Sequence, residues 1–353
     1  MHSESVTNTR NLPLVAIALG DPAGIGPEIA LKATLDPRVR ALCAPVLFGD
    51  LRVVQHHAKS CHIDAEIVSV SNVGEAARAT ASGSAHPRRV AIVHQQQFHD
   101  GALRIGELAA AHGMSALDSA RAAIEAAMNG EVDAVVAAPQ TESAIKLAGV
   151  EFDGYPSFVA RCTGTAPEDA FLMLCFERDG SEMRIVHTTL HVSLRRALEL
   201  VTRERVEHAI HATASALRRI GIAVPRIAVA GLNPHASEHG LFGDDEAQVI
   251  EPAIAGARGS GIAVEGPLGA DTMIHNPGYD AYLVMYHDQG HIAAKAMARN
   301  RTAGLTIGTP VLFSSVAHGS ALDIAGKNQA DASAMIEAIR RLAGATAPGH
   351  RAC

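Results

Sequence analysis

The stretch PLVAIALGDPAGIGPEIALKATL, residues 13–35, contains the unit from which the fold is predicted. Residues 13–19 form a short apolar run that is typical of a buried β-strand. Residues 20–28 then supply a glycine-rich turn and the start of a helix, with Pro27 suited to the first helical position and Glu28 at the positive helix end. The stretch therefore predicts one strand–loop–helix unit.

The same alternation continues along the chain. Short runs rich in valine, isoleucine and leucine alternate with longer alanine-rich runs of helical periodicity. Strands that alternate with helices favour the α/β class, with a largely parallel sheet covered on both faces. The later predicted strands are residues 132–139, 183–190, 226–232 and 280–287, and the predicted helices are residues 115–130, 203–220, 244–254 and 331–344.

Two local patterns predict where elements begin and end. Ser115 with Asp118 resembles a capping box at the start of a helix, and Gly130 suits the position just after its end. The stretch GYPSF, residues 154–158, is typical of a proline-containing turn between two apolar runs.

Composition limits the classes of function. The 353 residues, 48% of them hydrophobic, suit two globular domains or one large α/β unit. The net charge of −7 and the lack of a basic run argue against nucleic acid as a partner. The five scattered cysteines indicate a reducing compartment. With no membrane-spanning run and no signal peptide recognised, a cytoplasmic protein without a membrane partner is expected.

Three histidines lie at or just beyond the ends of predicted strands, namely His191, His235 and His287. Ligands of open α/β sheets bind outside the carboxyl ends of the strands, and three imidazoles with an open position form a common catalytic metal site. The competing interpretation is that these are surface or hydrogen-bonded histidines, because the chain has 19 histidines and none of the local metal-binding spacings. Further histidines that stay open as ligands are His187, His275, His291 and His318.

The glycine-rich loop GDPAGIGPE is ambiguous by itself. A loop between a strand and a helix can offer backbone N–H groups to an anion. Its spacing is neither the G-x-G-x-x-G of dinucleotide-binding folds nor a P-loop with its Lys-Ser or Lys-Thr end. An anion site and a plain tight turn therefore both remain open.

Five longer blocks together resemble the 4-hydroxythreonine-4-phosphate dehydrogenase (PdxA) family. They occur in the family's order from about residue 13 to about residue 340, and several are rich in unusual residues. The blocks are GDPAGIGPE at 20–28, GLNPHASE at 231–238, GPLGADT at 266–272, MYHDQGH at 285–291 and SSVAHGSALDIAGKNQAD at 314–331.

The resemblance implies an isopropylmalate-dehydrogenase-like fold, with two α/β domains and an active-site cleft between them. One expected domain is discontinuous, residues 1–145 together with 310–353, and the other is residues 146–309, which carry metal ligands and dimer contacts. The family further implies oxidation of a secondary alcohol by NAD or NADP in a homodimer. The expected divalent metal is zinc, cobalt, manganese or magnesium. No cofactor-binding residue is identified.

Family site residues map onto positions of this chain. Asp271 and Lys295 map onto substrate contacts and are predicted as catalytic residues, with Lys295 positioning the substrate or transferring a proton. Asp288 is expected to orient the neighbouring histidine. One metal ligand comes from the partner subunit in the family, so the metal site is expected to be shared across the dimer interface. The three family metal ligands map onto His191, His235 and His287.

The phosphate-binding positions of the family differ in this chain. Residues 154–157 are Gly-Tyr-Pro-Ser where the biosynthetic enzymes have Gly-His-Thr-Glu. A family asparagine aligns with Gly304 and a family arginine with Phe313, which cannot replace a bidentate phosphate ligand. The substrate is therefore predicted not to be a phosphate ester. The residues predicted to bind it are Tyr155, Ser157, Gly304, Phe313 and Lys295.

The terephthalate cis-dihydrodiol dehydrogenases, a subgroup of the family, are similar at these positions. This similarity implies a small carboxylic acid substrate, 1,2-dihydroxy-3,5-cyclohexadiene-1,4-dicarboxylate, that is oxidised and decarboxylated to protocatechuate. Three alternatives stay open: the 4-hydroxythreonine-4-phosphate dehydrogenase of pyridoxal phosphate biosynthesis, a dehydrogenase for another hydroxy acid, and a non-catalytic metal or nucleotide binder.

Overall fold

A computed structural model describes residues 12–80, 86–99, 101–298 and 302–346, and its strands join in one sheet. The strands are β1 (Leu14–Ala18), β2 (Ala44–Gly49), β3 (Glu66–Val70), β4 (Arg89–His94), β5 (Ala134–Ala137), β6 (Phe171–Arg178), β7 (Ser181–His187), β8 (Arg226–Ala230), β9 (Ala263–Leu268), β10 (Ala281–Val284), β11 (Ala303–Ile307) and β12 (Phe313–Val316).

The helices are α1 (Gly26–Leu35), α2 (Pro37–Arg40), α3 (Leu51–Ser60), α4 (Val73–Thr80), α5 (Ala110–Met128), α6 (Glu142–Leu147), α7 (Tyr155–Thr163), α8 (Leu194–Leu200), α9 (Arg203–Arg219), α10 (Glu251–Gly259), α11 (Ala270–Met273), α12 (His287–Ala298) and α13 (Ser333–Thr346). Short 3₁₀ turns occupy Pro167–Asp169, Pro234–Glu238 and Leu322–Ile324, and one π-helical turn occupies Glu246–Ile250.

The sheet has the strand order β3-β4-β2-β1-β5-β12-β11-β6-β7-β10-β8-β9. Neighbouring strands are parallel except in the middle, where β11 runs antiparallel to β12 and β6, and β6 runs antiparallel to β7. The predicted α/β class with a largely parallel sheet is confirmed, and the sheet is mixed rather than purely parallel.

The opening stretch forms the predicted strand–loop–helix unit at the centre of one half of the sheet. Strand β1 pairs in parallel with β2 and β5, and helix α1 follows it directly. Gly20 has a φ of +66°, and a Cβ there would lie 2.3 Å from the carbonyl oxygen of Pro139. A Cβ on Gly26 would lie 2.4 Å from the carbonyl oxygen of Leu19. Close backbone packing therefore accounts for these two glycines of the loop.

Two local predictions were wrong. Helix α5 begins at Ala110, so Ser115 lies inside it and donates its hydroxyl hydrogen bond to Gln97 instead of capping the helix. The predicted end is confirmed, because Gly130 follows the helix with a φ of +71°. GYPSF is not a turn but the start of α7. Pro156 fits there because the first turn of a helix leaves its N–H groups without intrahelical partners.

The expected domain boundaries fall between elements of the continuous sheet. The boundary at 145/146 lies between β5 and β6 in the chain, and the boundary at 309/310 lies between β11 and β12. Strands β1 to β5 with β12 occupy one end of the strand order and β6 to β11 the other. The division into two domains stays a prediction. Within the described ranges, no helix is both long and apolar enough to cross a membrane.

Candidate active site

A cavity of about 820 Å³ lies over the middle of the sheet. Its floor includes Leu172 and Leu174 of β6, which point to the same side because they are two residues apart. Gly304 pairs with Leu174 and also with Ser315, so the floor continues across β11 and β12. The walls come from the start of α7, the loop after β7, helix α12 and residues 316–320.

Three histidine rings lie close together in the wall of this cavity. The rings of His191 and His287 have centroids 5.6 Å apart, and His291 stacks on His287 with centroids 3.8 Å apart and planes at 10°. His287, His291 and Lys295 follow at four-residue intervals on α12, so they lie on one face of the helix. All four side chains line the cavity.

The ring of His191 is oriented by a backbone carbonyl. Its Nδ1 lies 2.8 Å from the oxygen of Asp153, which can only accept a hydrogen bond. Nδ1 therefore carries the proton, and Nε2 keeps a lone pair for a metal. The ring also packs against Gly154, which has a φ of +115° and where a Cβ would lie 3.1 Å from Nδ1. Glycine at this position allows the contact.

The ring of His287 is oriented by a carboxylate. Its Nδ1 lies 2.6 Å from Oδ1 of Asp288, which matches the orienting role predicted for Asp288. A proton on Nδ1 again leaves the Nε2 lone pair free, and the carboxylate partner fixes the orientation of the ring. His191 and His287 thus share the tautomer that metal ligands require.

His187 is buried at the end of β7 and contacts His291. Its Nε2 lies 3.0 Å from Nδ1 of His291. Burial is the largest cause that lowers the pKa of His291 to about 4, and burial together with the nearby His291 holds the pKa of His187 well below its usual range. Both rings are therefore neutral at neutral pH.

Of the five residues predicted to bind substrate, three are among the described lining of the cavity and two are not. Tyr155, Gly304 and Lys295 line the cavity, and Gly304 gives the floor its depth because a Cβ there would lie 3.1 Å from Leu172 Cδ1. Ser157 and Phe313 are absent from the lining residues that the structure describes. Substrate binding by any of them stays a prediction.

Ser157 and Phe313 support their neighbours. The Ser157 hydroxyl donates to Asp153 Oδ2 at 2.8 Å, next to the carbonyl that orients His191. Phe313 is fully buried and packs behind Tyr155, with ring centroids 4.9 Å apart. The Tyr155 hydroxyl donates to the carbonyl of Ala138 at 3.3 Å, so the ring of Tyr155 is held as a wall of the cavity.

His235 and Asp271 lie together in a different place. His235 is exposed in the Pro234–Glu238 turn, and Asp271 is exposed at the start of α11, which packs against that turn. A Cβ on Gly269 would lie 3.1 Å from Asp271 Oδ1 and 3.8 Å from His235 Cα. Neither residue is among the described lining of the cavity.

The loop that carries His235 has an unusual backbone. His235, Ala236, Ser237, Glu238 and His239 all have positive φ values, between 47° and 67°. Left-handed backbone costs about 1–2 kcal/mol per non-glycine residue, so surrounding contacts must hold the loop.

The buried carboxylate of Glu246 supplies such contacts. It accepts hydrogen bonds from the backbone N–H groups of Leu232 and Asn233 at 2.8 and 2.7 Å, and from Asn233 Nδ2 at 3.0 Å. These charge-assisted bonds fix the strand end from which the loop departs. The fold therefore maintains a strained loop that presents His235 to solvent.

In the described part of one copy, the three predicted metal ligands do not lie together. His191 and His287 fit a metal in type and tautomer, but His235 lies outside the cavity lining. Over residues 12–80, 86–99, 101–298 and 302–346, no group of three or more His, Cys, Asp or Glu is arranged to hold a metal ion. The ligand set stays a prediction.

Sequence reasoning left the roles of His187 and His291 open. The signal for His291 was its four-residue spacing from His287 and Lys295, but no helix was predicted after the strand that ends near 287. His187 had no local signal, because its partner is 104 residues away. His318 also lines the cavity, whereas His275 is exposed and absent from the described lining.

Known proteins resemble the chain over nearly its whole length. The sequence model of the family described as "Pyridoxal phosphate biosynthetic protein PdxA" matches residues 41–342. A 1,2-dihydroxy-3,5-cyclohexadiene-1,4-dicarboxylate dehydrogenase from a Comamonas species is 39% identical over 93% of this chain and 96% of its own. A Clostridium botulinum relative with the provisional name D-threonate 4-phosphate dehydrogenase is also 39% identical, with the same coverage of both chains.

A solved structure extends the likeness to the fold. The terephthalate 1,2-cis-dihydrodiol dehydrogenase from Burkholderia xenovorans is 40% identical and has a TM-score of 0.68. The match covers 95% of this chain and 98% of that one.

Proposed function

Because the chain belongs to the PdxA family and is a dehydrogenase of that family, we propose that it oxidises and decarboxylates a hydroxylated carboxylic acid. The cofactor in this proposal is NAD or NADP with a divalent metal. The proposed substrate is 1,2-dihydroxy-3,5-cyclohexadiene-1,4-dicarboxylate, and the product is protocatechuate. The Comamonas relative described above is named as a dehydrogenase of this substrate.

The observation that carries the substrate class is the wall formed by Tyr155 with Phe313 behind it. A flat aromatic wall suits a cyclohexadiene ring, because ring faces pack well against one another. Among the described lining residues, Lys295 is the one lysine or arginine. A single flexible ammonium suits a carboxylate, whereas a buried phosphate dianion needs several cations or N–H donors.

The metal in this proposal is held by His191 and His287 of one chain and His235 of a second copy. The exposed, strained loop supports this arrangement, because it directs a candidate ligand away from its own cavity. The nearby Asp271 would enter the same shared site. The homodimer would then be the active unit, since one copy alone supplies two of the three imidazoles.

The chemistry follows from the substrate and the cavity. His191, His287 and the second copy's His235 would hold a divalent metal, which would lower the pKa of the hydroxyl that is oxidised. The hydride on that carbon would pass to the nicotinamide and the hydroxyl proton to solvent, while the Lys295 ammonium would position the substrate through its carboxylate. The ketone lies β to a carboxylate, so the C–CO₂ bond breaks and its electrons form an enolate. Because the ring already holds two C=C bonds, this enolate is the aromatic phenolate of protocatechuate, and protonation of its oxygen completes the product.

Formation of NADH or NADPH by the purified protein tests this proposal. The assay contains a divalent metal and, in separate reactions, the cyclohexadiene diol acid, 4-phosphohydroxythreonine or D-threonate 4-phosphate. Rapid turnover of the diol acid, with protocatechuate as product, is expected. Turnover of a phosphate ester but not of the diol acid would overturn the substrate assignment. Loss of activity after chelation, restored by added metal, tests the metal dependence.

A further inference from the structure

His187 and His291 form a hydrogen-bonded pair whose direction is set by the backbone. His187 Nδ1 lies 3.4 Å from the carbonyl oxygen of Leu172, to which only an N–H can donate. Nε2 of His187 is then an acceptor, and the hydrogen bond at 3.0 Å comes from Nδ1–H of His291. The remaining ring nitrogen of His291, Nε2, keeps a lone pair.

The backbone makes room for this pair. A Cβ on Gly290 would lie 2.4 Å from His187 Nε2, so any other residue at 290 would displace the ring of His187. His187 is 1% exposed and is itself absent from the described lining of the cavity. His291 is the member of the pair that lines the cavity, beside His287 and Lys295.

We propose that His291 is a substrate-contacting residue that accepts a hydrogen bond from the hydroxyl of the diol that is not oxidised. His187 is the positioning residue that acts through it. This inference rests on the proposed function, since it names the group that distinguishes a diol acid from a simple hydroxy acid.

The assignment follows from the lone pair on His291 Nε2. With Nδ1–H of His291 bonded to His187, Nε2 is the one ring nitrogen left for the substrate, and a vicinal diol has one hydroxyl left over when the other is at the reacting centre. Stacking of His291 on His287 places this acceptor beside the proposed reaction centre. A substrate without the second hydroxyl would leave the acceptor unpaired, which is the basis of strong discrimination between analogues.

Kinetics on two substrates test the proposal. The first substrate is the diol acid, and the second is an analogue that lacks the hydroxyl that is not oxidised. His291→Leu should lower kcat/KM for the diol acid by about 10- to 100-fold, as expected for the loss of a contact with a buried polar group, and should affect the analogue much less. His187→Leu should produce the same selective loss.

A double variant separates positioning from a general structural role. If His187 acts only through His291, the double variant should lose no more than His291→Leu alone. His187→Gln should restore much of the preference for the diol, because its side-chain carbonyl can accept from His291 Nδ1–H. His112→Leu is the matched control, since His112 is also buried and lies outside the cavity lining; its preference should equal that of the wild type.

The outcomes distinguish the two proposals. If the wild-type protein does not oxidise the diol acid at all, the proposed function fails. If it does, and His291→Leu retains both its bound metal and the full preference for the diol, the inference is overturned. Should His187→Leu fail to fold, the wild type and His291→Leu on the two substrates still decide the role of His291.

Discussion

The cavity and the loop at Pro234–Glu238 both carry a histidine selected by the same strand-end pattern, yet the fold treats them differently. In the cavity, His191 and His287 are oriented by hydrogen bonds to Asp153 and Asp288. In the loop, His235 is exposed on left-handed backbone and lines no part of the cavity described. One region orients two candidate ligands inside the cavity, and the other exposes a candidate ligand outside its described lining.

This difference shows that histidines at the ends of neighbouring strands can lie on different surfaces of the protein. His191, His287 and His235 follow β7, β10 and β8, which are neighbouring parallel strands, so the three strand ends lie at one edge of the sheet. His235 is set apart from the cavity lining by its own loop, whose backbone is left-handed from residue 235 to residue 239.

Removal of a proposed ligand from either region should have the same severe effect. His287→Ala and His235→Ala are each expected to lower kcat by at least about 1,000-fold, because both would leave the metal site incomplete. Rates of NADH formation measure this effect, and thermal unfolding confirms that each variant folds. A fully active His235→Ala would remove the loop from the site.

Mixing the two inactive variants tests whether the regions meet between copies. A mixed dimer would contain one intact site, with His287 from one copy and His235 from the other. Co-expression should then restore about one quarter of the wild-type sites, because half of the dimers are mixed and each has one working site. An inactive mixture would place the complete site within a single copy.

Asp288→Asn should weaken metal binding at the cavity while leaving the Pro234–Glu238 loop unchanged. The amide can still contact His287 Nδ1 but no longer provides a negative charge. Metal affinity is expected to fall by about 10- to 100-fold, as for other partners of ligand histidines. Calorimetric titration with zinc measures it, and Asp244→Asn, on an exposed residue outside the described cavity lining, is the control.

Glu246→Gln should destabilise the Pro234–Glu238 loop while leaving the cavity unchanged. The glutamine loses the charge that receives the N–H groups of Leu232 and Asn233, which costs about 1–3 kcal/mol in free energy of unfolding. Chemical denaturation measures this loss. Activity should fall with it, whereas backbone hydrogen exchange around Tyr155 should change little.

Tyr155→Phe should have the smallest effect. The variant loses the hydrogen bond to Ala138 but keeps the ring that packs on Phe313. A loss of about 0.5–1.5 kcal/mol in free energy of unfolding is expected, with KM for the diol acid nearly unchanged. A large rise in KM would show that the hydroxyl, and not the aromatic face, contacts the substrate.

The sequence predicted the elements better than their boundaries. The strand–loop–helix unit at residues 13–35 forms as expected, because its apolar run and its glycine-rich turn are local features. The start of α5 and the helical start at Tyr155 were missed, since turn and capping patterns compete with packing that lies elsewhere in the chain. Ser115, for example, is held by Gln97 from another segment.

The sequence by itself determined the α/β class, the family and the identity of the candidate ligands, because periodicity and motif blocks are local and ordered. Only the tertiary structure decided that His291 stacks on His287, that Phe313 lies behind Tyr155 and that His235 lies outside the cavity. These relations depend on strand register and helix packing between distant segments, as with His187 and His291, which are 104 residues apart. The sequence therefore shows which residues are candidates for the site, while the contacts between them depend on how the sheet and the helices pack.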